Sequence, residues 1–154
     1  MEKEPRFTAW VLGSAGLMVL GAFGPWVKAL GQSVSGTDGS NDGWLVIAAA
    51  AFGGLLFYLA RRTSRGAGVW AILGGAAGVA ITLYDRQHIQ HAIDQGGAFA
   101  AALASVGWGL NLALAASASL GIAGLVWQMG MERTQPAIPE APPLPLAPPI
   151  APPD

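Results

Sequence analysis

Residues 44–60 read WLVIAAAAFGGLLFYLA, a stretch without a single acidic or basic side chain. As an α-helix it would rise about 25 Å at roughly 1.5 Å per residue, close to the hydrocarbon thickness of a bilayer. A helix in a water-soluble bundle keeps a polar stripe toward solvent, and none can be drawn here. The segment is therefore expected to lie in a membrane. Working outward, three more stretches have the same character, at residues 7–27, 67–84 and 108–131. The expected fold class is an all-α membrane protein: a four-transmembrane-helix bundle over residues 1–131, followed by a tail over 132–154.

The aromatic residues give an independent reading. Trp and Tyr favour the bilayer boundary, where the ring is dry and its polar tip wet. Trp10 and Trp26 bracket the first stretch, Trp44 and Tyr58 the second, Trp70 and Tyr84 the third, and Trp108 and Trp127 the fourth. Ordinary core aromatics would scatter through the middle of the spans instead. All eight are expected as interface anchors.

Lys and Arg in short loops stay on the cytoplasmic side. Lys3 and Arg6 precede the first stretch, Arg61, Arg62 and Arg65 fill the turn after the second, and Arg133 follows the fourth, whereas the other side holds only Lys28 and Arg86. Both termini are thus expected inside the cell, with two outward loops. Basic residues before an apolar run also fit a cleaved secretory signal. The run lacks a small-x-small cleavage site, and Pro25-Trp26-Val27-Lys28 reads as the end of an anchored helix.

Composition narrows the function. Charged residues make up 11% of the 154 and apolar ones 53%, with a net charge of −1. Eight basic against nine acidic residues leave no surface for neutralising phosphates, so no nucleic acid is expected as a partner. With no cysteine, a disulfide framework, a thiolate metal site and a thiol nucleophile are excluded. The stretches hold Thr8, Ser14, Thr82, Asn111, Ser117, Ser119 and Gln128 but no carboxylate, Lys, Arg or His. Proton relays, ion-coupled carriers and voltage sensors need such charges in the membrane.

Helices in lipid associate through close packing of small residues. Ala9 with Gly13, Ala49 with Gly53, Ala50 with Gly54, Gly74 with Gly78, and Ala113 with Ser117 and Gly121 recur at four-residue spacing. Gly13, Gly53, Gly74, Gly78, Ser117 and Gly121 are accordingly expected at helix contacts. A dimerisation face would use the same pattern, though packing within the chain uses it more often.

Two outward loops could carry chemistry. In LGQSVSGTDGSNDG, residues 30–43, Asp38, Ser40 and Asp42 before Gly43 resemble the opening of a calcium loop. The expected twelfth-position glutamate falls on Ala49, so helix capping by Asn41 or Asp42 is the competing reading. In the second loop Asp85, His88, His91 and Asp94 recur every three residues, opposite Ile89, Ala92 and Ile93. That pattern predicts a short interfacial helix lying on the membrane. His88, His91 and Asp94 could ligate zinc or titrate near neutrality, or simply form the wet face of that helix. No cofactor and no small-molecule substrate are indicated.

Residues 136–154 contain nine prolines and three Ala-Pro-Pro repeats. Proline fixes φ and removes a donor, so a disordered or polyproline II tail is expected, either a spacer or a docking strip.

Gly24-Pro25-Trp26, SGTDGSNDGW at 35–44 and VGWGL at 106–110 together resemble small four-span membrane proteins of actinobacteria and their phages. That group carries no agreed activity, so the resemblance implies a layout and no catalytic residues. The layout is also similar to claudins and tetraspanins, whose paired extracellular cysteines are missing here. The expected function is a non-enzymatic membrane scaffold or accessory subunit acting on a protein partner or by self-association within the lipid bilayer. The alternative is an oligomeric pore-forming or holin-like protein. An enzyme or transporter is disfavoured, since no acid, base, nucleophile or metal set converges on the spans.

Overall fold

The computed structural model describes residues 3–38, 42–62, 66–97 and 103–132. The proline-rich tail, Ser40, Arg65 and Arg133 lie outside these. In chain order the elements are α1 (Lys3–Phe23), β1 (Pro25–Ala29), β2 (Gln32–Ser35), α2 (Asp42–Ala60), α3 (Ala67–Gln95), β3 (Ala104–Val106) and α4 (Trp108–Glu132). Each of the four helices is long and apolar enough to cross a membrane.

The helices pack as a ring in which α1 neighbours α2 and α4, and α3 neighbours α2 and α4. Every neighbouring pair is antiparallel. Thr8 meets Arg61 at one end of the α1–α2 pair and Phe23 meets Trp44 at the other. On α4, Ser119 bonds Ser14 while Ala113 lies against Gly21. The start of α1, the α2–α3 turn and the end of α4 consequently share one end of the bundle, called here the basal end.

Glycine makes the contacts close. A Cβ built on Gly74 would lie 2.6 Å from the Gly53 Cα and 2.7 Å from the Ala49 carbonyl oxygen. One on Gly75 would meet the Gly121 nitrogen at 2.5 Å, and one on Gly68 the Gly124 oxygen at 2.5 Å. Contact at this range is backbone on backbone, which supplies dispersion energy that lipid tails cannot match. Larger side chains fill the spaces between: Val11, Met18, Val46, Phe57, Leu110 and Leu120 are fully buried.

Two features depart from a purely helical chain. First, α1 stops at Phe23, short of the expected 27. The Gly24 amide closes the last turn on Leu20 and Gly21, and Pro25 cannot continue the helix. Residues 25–35 turn back as a hairpin, β3 joins its other edge, and the sheet order is β2-β1-β3, antiparallel throughout. This small sheet closes the far, or cap, end of the bundle.

Second, α3 runs without a break through 29 residues. Residues 85–94 continue the third span and do not form a separate interfacial helix. Of their apolar stripe, Ile89 packs against the hydrophobic core, and β3 lies against α3.

Candidate functional site

The cap end gathers most of the polar residues singled out from the sequence. Asp42 opens α2 and Asp85 follows the last residue of the third apolar stretch, so antiparallel packing of α2 on α3 sets them face to face. Their carboxyl groups meet at hydrogen-bonding distance. Asp85 is buried, and its Oδ2 has no hydrogen-bond partner.

This pairing separates the residues of the calcium-like motif. The carboxyl of Asp42 turns to Asp85, whereas Asp38 closes its own turn: its Oδ2 accepts from the Ser35 amide at 3.2 Å, and its amide donates to the Ser35 carbonyl. Ser35 and Thr37 hydroxyls bond each other at 3.0 Å. Ser40 lies outside the described residues.

His88 and His91 lie along the outer part of α3. His88 stacks on Tyr84 at 6.4 Å between ring centroids, and His91 Nδ1 lies 2.9 Å from the Gln87 carbonyl oxygen. Asp94 is exposed a turn further on. Among the described residues no group of three or more His, Asp or Glu side chains is placed to hold a metal ion.

The sheet is anchored by Trp26. Its indole is buried and donates to the Gly21 carbonyl at 3.0 Å, and the backbone of Gly36 lies flat on the ring, where any side chain would collide. Gly43 then bonds back to the Gly36 carbonyl at 2.9 Å, joining the hairpin to the start of α2. The hairpin turn is two residues, Leu30 and Gly31, between the paired Ala29 and Gln32. Both have positive φ, +52° and +79°, as a type I′ turn demands. Asn-Gly is the favoured sequence for that turn, and Leu30 occupies the first position with its side chain 75% exposed.

The expected anchors fall into two groups. Trp10, Trp44, Tyr58, Tyr84 and Trp108 are exposed, and Trp70 is half-buried against Phe52. Trp26 and Trp127 are instead buried in the protein. Trp127 meets Phe57 edge-on at 5.1 Å, and its indole N–H has no partner. Of the packing residues, Gly53, Gly74, Gly78, Ser117 and Gly121 lie at helix contacts, with Ser117 beside Gly78. Gly13 faces outward, and a Cβ there would meet nothing within 4 Å.

Reasoning from sequence missed three polar contacts. Trp10 Nε1 donates to Ser119 Oγ at 2.9 Å, and Ser119 also bonds Ser14 at 2.9 Å, tying α1 to α4. At the basal end Arg61 donates from Nη1 to Thr8 Oγ1 at 2.9 Å while its guanidinium lies 4.1 Å over the Tyr58 ring. The signal for the Asp42–Asp85 pair was available, since each carboxylate abuts the outer end of a span in consecutive antiparallel helices.

The class defined by this fold is a four-helix bundle of membrane-spanning length with a three-stranded cap. No known protein family, curated protein or solved structure matches the chain.

Proposed function

We propose that the protein is a non-enzymatic integral membrane scaffold or accessory subunit that engages a protein partner through its cap. The observation that carries this reading is Leu30. A non-glycine residue in left-handed backbone is strained, by roughly 1–3 kcal/mol, and is held here by the turn and by the bond from the Leu30 amide to the Leu103 carbonyl; what the fold leaves unexplained is an exposed leucine where asparagine is favoured. The side chain does nothing for the core, since it projects from the hairpin tip. Val34, on the neighbouring strand, is also an exposed apolar residue.

The bundle axis supports the same reading. Across the ring, the Leu120 side chain would lie 3.3 Å from a Cβ on Gly53 and the Met18 side chain 2.6 Å from one on Gly78, filling the axis where a single-chain pore or substrate tunnel would run. The excess of Arg and Lys at the basal end supports a plasma-membrane orientation with both termini cytoplasmic and the cap outside.

A photoreactive benzophenone amino acid at position 30 tests the proposal in cells. A discrete adduct heavier than the chain, lost when the same probe sits at exposed Leu59 near the basal end, is expected. Labelling of lipid alone from position 30 would overturn it. The variant Leu30→Asn supplies the control, because it suits the type I′ turn and is expected to leave folding intact while abolishing partner association.

A further inference from the structure

The α1–α2 pair leaves an open groove on the outside of the bundle. Ala15 and Gly54 form its floor, where the helices touch: a Cβ on Gly54 would lie 3.0 Å from that of Ala15. Leu12 and Val19 on α1 and Leu55 on α2 form its walls, and Tyr58 closes its basal end. Its volume is about 430 Å³, within the range of about 300–1,000 Å³ that small ligands occupy. A built Cβ on Gly16, which also lines it, meets nothing within 4 Å.

The groove is apolar along the span, but its basal end is cationic. Arg61 lies over Tyr58 and reaches across to Thr8, and its Nε has no hydrogen-bond partner. Arg62 follows it in the turn, and Arg6 stands two residues before Thr8; both are exposed. An apolar groove along the span that ends at an arginine matches one molecule in both parts: a lipid with a hydrocarbon tail and an anionic head.

We propose that the α1–α2 groove binds an anionic phospholipid, with an acyl chain along Gly16 and Gly54 and its phosphate at the Arg61 end. This is independent of the cap's partner. A zwitterionic lipid would fill the groove equally well, but its choline cation offsets the attraction between its phosphate and the arginines. Each basic residue near an anionic surface contributes about 1 kcal/mol, or about a fivefold preference.

Native mass spectrometry of the full chain in detergent tests this, with equimolar phosphatidylglycerol and phosphatidylcholine of identical acyl chains. Retention of phosphatidylglycerol over phosphatidylcholine by about fivefold or more is expected. Arg61→Gln should lower that preference about fivefold, whereas Thr8→Val, which removes the Arg61 hydrogen bond and keeps the charge, should preserve it. Gly16→Leu fills the groove without a clash and should abolish retention at an unchanged melting temperature in lipid-free detergent. Ala51→Leu does the same from the facing helix should Gly16→Leu misfold. Equal retention of both lipids by the unaltered chain, or undiminished lipid binding after the groove is filled, would overturn the proposal. So would a melting temperature raised by inorganic phosphate as much as by phosphatidylglycerol, which assigns the site to a free anion. A dimer mass lost on filling the groove would assign it to a second copy of the chain and contradict the lipid.

Discussion

Gly74 and Gly13 both carry the small-residue signature, yet only one is needed. At Gly74 a Cβ meets the Gly53 Cα at 2.6 Å, whereas at Gly13 it meets nothing within 4 Å. Gly74→Leu is expected to destabilise the bundle by about 2–3 kcal/mol through overpacking, and Gly13→Leu to change it by less than about 0.5 kcal/mol. Equal melting temperatures of the two variants in detergent would contradict the packing. Spacing alone revealed that small residues lie on some helix face, but the turn of each helix about its own axis is set by contacts the sequence does not display.

At the scale of elements, the four helices were legible and the sheet was not. Charge-free stretches of bilayer length announce themselves, because the bilayer requires that no backbone group go unpaired there and a helix meets that demand alone. The strands are five, four and three residues long, and β3 pairs with β1 across some eighty residues of chain, so no local pattern marks them. Gly24-Pro25 was the available sign that α1 ends early. The stripe of Ile89, Ala92 and Ile93 was legible as one-sided, but periodicity cannot tell whether the apolar face meets lipid or protein. In the structure Ile89 meets the core and α3 continues unbroken. Cysteine labelling with a membrane-impermeant maleimide distinguishes the two arrangements. His91→Cys should react rapidly and Ile89→Cys should be protected in detergent as in membranes. A helix lying on the bilayer would release Ile89→Cys in detergent.

For the molecule as a whole, alternating antiparallel packing of four spans places the first and last helix ends together, and the sheet at the opposite end makes the two ends chemically unlike. The basal end carries arginine and the aromatic cluster of Phe7, Phe57 and Trp127; the cap end carries the paired carboxyls and the hairpin. That polarity fits the proposed orientation, with the proposed lipid site at one end and the proposed partner surface at the other. The most direct measurement is the accessibility, in intact cells, of single cysteines placed before α1, at Leu30, and after α4. An impermeant reagent is expected to label position 30 alone and to reach both ends only after the membrane is opened. Labelling of one end but not the other in intact cells would contradict a chain that crosses four times.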